Sequence, residues 1–229
     1  MNLLEQCRST LWAPTMSCRP SDWAHAVLLV VSTIYSTQGL LPPHAASKSE
    51  RWKRDWLAPT ASVAPYAARA LLVSASIFQA YTVVLLKPGV TWSGRTQLLN
   101  AVCCLTSCFG GWLRLRCYRE LGRFFTFAIG IRKEHKVIQT GPYRYVRHPS
   151  YTALSILLLS QALVHLAASP AAGLLELQQR LVLTAGACLG PAVLFGVRIR
   201  QEEEMLTEHF GDEYRQYSKR TWRMYPFVF

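Results

Sequence analysis

The 229-residue chain keeps most of its charge out of five long apolar stretches, and that segregation limits the folds open to it. The stretches run from about Trp23 to Leu41, Val63 to Leu86, Gln97 to Leu113, Tyr151 to Ala168 and Leu174 to Val197. Pro42-Pro43, Lys87-Pro88-Gly89 and Ser169-Pro170 punctuate them, and Gly190-Pro191 interrupts the fifth. A bilayer crossing takes about 20 apolar residues, so each stretch is long enough or nearly so. The third and fourth are the shortest, which predicts tilt or partial burial against neighbours. With 51% hydrophobic and only 17% charged residues, a soluble chain would instead spread its charges along amphipathic stripes. The expected fold is all-α: a polytopic membrane helical bundle with about five transmembrane helices and a cytosolic C-terminal region.

The basic residues orient this bundle. Nine of them lie between Arg114 and Arg147, six from Arg198 onward, and four (Lys48, Arg51, Lys53, Arg54) between the first two stretches. The other side has only Arg8, Arg19, Lys87 and Arg95, with Arg69 and Arg180 near the starts of two stretches. Five alternating crossings put all three rich segments on one side, which the positive-inside rule makes cytosolic. The few residues around Ser169-Pro170-Ala171-Ala172-Gly173 make the last two stretches an antiparallel hairpin, returning Arg198 to the face that holds His148. The chain therefore divides into residues 1–123, with about three spans, and residues 124–229, with the hairpin and a polar tail.

The net charge of +12 flanks apolar stretches and comes with no zinc-finger spacing or RNP-like segment. It reads as juxtamembrane charge facing a lipid bilayer, with no nucleic acid as partner. Cys7, Cys18, Cys103, Cys104, Cys108, Cys117 and Cys188 form no CxxC pair and read as small buried hydrophobes, so no metal and no disulfide framework is expected. The N-terminus lacks a basic start followed by an apolar core, so a cleaved signal peptide is not expected.

Chemistry concentrates in TGPYRYVRHPSYTALSILLLSQAL, residues 140–163, which opens with arginines, tyrosines and a histidine at the mouth of an apolar helix. Ionisable groups near hydrocarbon cost free energy and mark function by default. Taken singly, each has a bland reading. Tyr143, Tyr145 and Tyr151 suit an interfacial aromatic belt, His148 and His135 suit structural roles, and Glu202-Glu203-Glu204 suits a solvated helix face. Arg198 and Glu202, four apart, suit a surface ion pair. Together they exceed what a belt needs. Gly141-Pro142 fixes a turn and His148-Pro149 stops the helix from extending backward, so the loop resembles a rigid ligand cradle.

HKVIQTGPYRYVRHPSY, then RIRQEEEML, then HFGDEYRQYSKRTWRMYPFVF resemble the isoprenylcysteine carboxyl methyltransferases, a likeness that runs from Phe124 to the C-terminus. The resemblance implies a multi-pass methyltransferase of the endoplasmic reticulum membrane, its active site facing the cytosol, using S-adenosyl-L-methionine to methylate the carboxylate of a prenylated cysteine. The family's cofactor-binding positions fall on His135, Lys136, Val137, Ile138, Tyr143, His148, Pro149, Ser150, Tyr151 and Glu202. Arg198 falls where the family meets its substrate, as the catalytic and substrate-binding residue. Ala153 departs from the glycine many relatives carry, and its methyl is expected to alter helix packing. Residues 124–229 would then be the catalytic region.

The residue chemistry agrees with that role. A carboxylate acceptor is already ionised near neutral pH and needs no general base. It needs alignment with a methyl donor in a dry site, which an arginine fork and apolar spans supply. Three alternatives stay open: methylation of a phospholipid amine, methylation of a prenylated small-molecule acid, and a membrane scaffold whose motif only caps helices. The oligomeric state is open as well.

Overall fold

A computed structural model describes residues 20–41, 43–44, 51–55, 58–82, 94–167 and 176–227. Helix α1 spans Pro20–Leu40, α2 Ala64–Tyr81, α3 Gly94–Leu121, α4 Pro149–Ala162, α5 Leu177–Phe210 and α6 Asp212–Arg220. Each of the five apolar stretches thus carries one helix. The expected end of the second, at Leu86, lies outside the described residues.

Helix ends follow local chemistry. Pro65 sits in the first turn of α2 and Pro149 opens α4, where the missing N–H costs nothing. α3 outruns its apolar stretch because Arg, Leu and Glu are good helix formers, and it gives way at Gly122, whose φ is 51°. α4 continues through one π turn, Leu163–Ala167. Gly190-Pro191 does not interrupt the fifth helix, contrary to expectation. α5 runs unbroken for 34 residues with Pro191 inside it, since membrane helices can re-satisfy the backbone carbonyl a proline frees.

Helix α3 is the central element, packing on α1 and on α4, while α2 lies against α1 and α5 against α4. Small residues permit the closest approaches. A Cβ on Gly111 would lie 2.6 Å from the Tyr35 carbonyl oxygen of α1, and one on Gly110 would lie 3.0 Å from the Ala153 carbonyl oxygen of α4. Ala153 is fully buried. Its methyl is accommodated in a structure whose facing helix carries glycine. Polar side chains cross-link the same helices: Gln161 Nε2 donates to Ser36 Oγ at 2.8 Å and to Ser107 Oγ at 2.9 Å, and Thr33 donates to Ser76 at 2.8 Å. Cys103, Cys104 and Cys117 are buried with free thiols; Cys7 and Cys18 lie outside the described residues.

Three helices are long and apolar enough to cross a membrane: Gly94–Phe124, Pro149–Leu166 and Gln178–Phe210. Among described residues, α1 and α2 fall short, α1 diluted by Ser32, Thr33, Ser36 and Thr37 and α2 by Arg69 and Gln79. Their outer faces are nevertheless apolar, with Val27, Val30, Ile34, Leu71, Ile77 and Phe78 exposed. The connection proposed around Ser169-Pro170 lies outside the described residues, yet both ends of the hairpin are visible. Arg180 at the start of α5 donates to the Leu166 carbonyl at 3.2 Å, and Tyr151 at the start of α4 meets Phe195 far along α5. The two helices are antiparallel.

Candidate active site

The loop before α4 is clamped before it reaches the helix. Gly141, with φ 57°, opens a short 3-10 turn, Gly141–Arg144. Glu120 fills the space a Cβ there would need and also accepts from the Thr140 hydroxyl. The C-terminal segment then pairs with the loop. Trp222 N–H donates to the Tyr145 carbonyl at 3.1 Å, Arg147 N–H to that of Trp222 at 2.7 Å, and His148 N–H to that of Arg223 at 3.0 Å. Thr152 Oγ1 donates to the Met224 carbonyl at 2.6 Å, and the Tyr217 hydroxyl of α6 to the Tyr143 carbonyl at 2.7 Å.

Glu203 organises this clamp. Its carboxylate accepts from Arg147 Nε at 2.9 Å and Arg223 Nη2 at 2.7 Å, and faces His148 Nε2 at 3.2 Å. The expectation of a solvated glutamate face therefore fails at Glu203, whose side chain is 15% exposed. It holds at Glu204, which is exposed.

Beneath the clamp lies a cavity of about 320 Å³. His135, Lys136, Val137, Ile138, Tyr143, His148, Ser150, Tyr151, Arg198 and Glu202 all line it. Pro149 does not. Its ring is buried on the opposite side of the helix start, toward a separate groove with Trp112 and Tyr145, because successive residues of a helical turn point apart. Phe124, Phe125 and Phe127 add aromatic wall, and Leu154, Leu194 and Phe195 carry the lining onto the α4 and α5 surfaces.

Arg198 pairs with Asp55 rather than with Glu202 four residues on. Its Nη1 donates to Asp55 Oδ1 and its Nη2 to the Phe127 carbonyl. Glu202 instead faces the Tyr151 hydroxyl. Arg114, buried near the end of α3, donates from Nε to the Gly39 carbonyl and from Nη1 to both the carbonyl and hydroxyl of Ser150, each at 2.8 Å. It ties α1 and α3 to the start of α4.

Sequence reasoning missed Asp55, Arg114, Glu203 and Tyr214. Arg114 alone carried a signal, as an arginine continuing an apolar helix.

Several lining groups are polar yet unsatisfied. His135 stacks on Phe124 at 4.7 Å and meets Phe210 edge-on. Burial, with His209 and Arg132 nearby, lowers its imidazole pKa to about 4, so it is neutral at physiological pH. Its Nδ1 and the Tyr214 hydroxyl are buried with no hydrogen-bond partner among the described residues. Burial first, then the charges of Glu203 and Glu202, raise the Tyr214 phenol, keeping it a donor. Unsatisfied buried groups are costly, and both residues line the cavity, which fits a site for a polar ligand. A neutral imidazole, a phenol and the Glu202 carboxylate suit a molecule bearing both donors and a cationic group.

Residues 101–208 match the isoprenylcysteine carboxyl methyltransferase family. The chain is 32% identical over 115 residues to the protein-S-isoprenylcysteine O-methyltransferase of Schizosaccharomyces pombe, covering 49% of this chain and 43% of the relative. It is 31% identical over 122 residues to protein-S-isoprenylcysteine O-methyltransferase B of Arabidopsis thaliana, covering 51% and 53%. With the Saccharomyces cerevisiae protein-S-isoprenylcysteine O-methyltransferase it shares 28% over 140 residues, covering 60% and 53%. The chain spans about half the length of the curated relatives it matches. The match takes in two of the three motifs, residues 135–151 and 198–206; it begins within α3, ahead of Phe124, and ends before HFGDEYRQYSKRTWRMYPFVF.

Proposed function

We propose, from the family likeness and the cavity together, that this chain is a membrane methyltransferase using S-adenosyl-L-methionine to esterify the carboxylate of a prenylated cysteine. One observation carries the reading. Residues from three separated stretches, 135–138, 143–151 and 198–202, line a single cavity together with the apolar side chains of Phe124, Phe125, Leu154 and Leu194.

When bound, the cofactor supplies an electrophilic methyl group. His135, Tyr214 and Glu202 would hold its polar groups, and Glu202 is available because Asp55 already engages Arg198. Arg198 orients the acceptor carboxylate with the N–H groups its partners leave open. The phenylalanine wall lowers the polarity around the site, which strengthens charge interactions inside. Leu194 lines the cavity and is also 47% exposed on the outer face of α5. A prenyl chain entering there from lipid would gain about 0.8 kcal/mol per buried CH₂. Five crossings, an endoplasmic reticulum membrane and a cytosolic site belong to the same proposal, supported by the distribution of basic residues.

The test is transfer of radiolabelled methyl from S-adenosylmethionine to a farnesylated cysteine analogue by the purified protein in detergent. Base-labile ester label is expected, with Glu202→Ala losing cofactor binding. Label on phospholipid amines instead, or no thermal stabilisation by cofactor, would overturn the reading.

A further inference from the structure

Arg198 is held by a residue that the matched region does not contain. Asp55 lies between α1 and α2, and its side chain is fully buried against Arg198. Neither carboxylate oxygen is spare: Oδ1 accepts from Arg198, and Oδ2 accepts the Ile129 N–H at 2.8 Å. The segment that carries it is fastened too, with the Trp52 N–H donating to the Ile129 carbonyl at 2.8 Å and Arg51 bridging Gly130. Asp55 therefore cannot swing away from the guanidinium.

We infer that Asp55 is a positioning residue that fixes Arg198 and limits how tightly it binds the acceptor carboxylate, an inference that rests on the proposed carboxyl methylation. A guanidinium has five N–H donors. Among the described residues Asp55 and Phe127 take one each, which holds the guanidinium at the cavity wall with N–H groups left for a ligand. The negative charge of Asp55 also offsets the cation an incoming carboxylate meets.

That offset matters to the chemistry. The acceptor oxygen forms an O–CH₃ bond as the S–CH₃ bond breaks, the electron pair going to sulfur and no proton moving. The carboxylate loses its charge as it reacts. A fully uncompensated arginine would therefore stabilise the bound acceptor more than the transition state, lowering both KM and kcat. Asp55 keeps the grip directional without making it too strong.

The experiment measures KM and kcat for a farnesylated cysteine acid, and the inhibition constant of its methyl ester, in Asp55→Asn, Asp55→Ser and Asp55→Glu. Thermal stabilisation by the demethylated cofactor reports the fold and the cofactor side. In either neutral variant the free acid should bind about tenfold tighter, the order expected for removing one nearby charge in a partly buried site. kcat should fall, and the ester, having no anion, should bind as before. Asp55→Glu, which keeps the charge, should stay near wild type. Unchanged acid affinity in a neutral variant that still binds cofactor, an equal shift for acid and ester, or a Glu variant behaving like Asn would overturn the inference alone. A wild-type protein that transfers no methyl to the prenylated acid would overturn the proposed function, and the inference with it.

Discussion

Consecutive residues of a helix are turned about 100° from one another, so Glu202, Glu203 and Glu204 face the cavity, the clamp and solvent in turn. Removing each should therefore do something different. Glu203→Ala leaves Arg147, 13% exposed, and Arg223 without their carboxylate. Breaking a largely buried ion pair from one side costs about 3 kcal/mol, and that loss should appear as a lower unfolding temperature in detergent. Glu204→Ala should leave both stability and cofactor affinity within error. Equal unfolding temperatures for the two variants would mean that Glu203 does not hold the clamp. In sequence the three glutamates are indistinguishable, because what separates them is a helix phase set by distant partners. Glu202 was legible through the family motif. Asp55 was not, since its partner lies 143 positions away and no local pattern joins them.

At the level of elements, the packing of α3 rests on how closely its backbone approaches its neighbours. A methyl at Gly111 would overlap backbone of α1, its oxygen at 2.6 Å and its carbonyl carbon at 2.8 Å, and backbone cannot rotate aside. Overpacking of this kind costs about 1–3 kcal/mol. Gly111→Ala should accordingly lower the unfolding temperature and the yield of folded protein. Gly186→Ala, on α5, meets nothing within 4 Å and should be neutral or slightly stabilising, since alanine is the better helix former. Two variants of equal stability would show that α1 and α3 are not packed this closely. The helix of each of the five apolar stretches could be placed from hydropathy, because apolar side chains recur there in long runs. Their ends could not. α3 runs on to Leu121 through Arg114, whose charge is satisfied by carbonyls of other elements, and α5 ignores Gly190-Pro191.

For the whole molecule, helix lengths and charge argue for one orientation. At about 1.5 Å per residue, α3 is roughly 42 Å long and α5 roughly 51 Å, against a hydrocarbon thickness of about 30 Å. α5 is apolar to Val197 and polar from Arg198 to Phe210, so its surplus length projects on the side that carries the clamp, α6 and the arginine-rich loop. Arg95, at the start of α3, should then lie across the membrane from Arg144 and Lys219. All three are exposed, which makes them suitable for cysteine labelling in a background with the native cysteines replaced. In sealed vesicles with the cytosolic face outward, a membrane-impermeant maleimide should label Arg144→Cys and Lys219→Cys at once. Arg95→Cys should react only after permeabilisation. Labelling of all three from outside would mean that α3 does not cross. The reverse pattern would turn the bundle over, placing the cavity on the side that basic residues normally avoid.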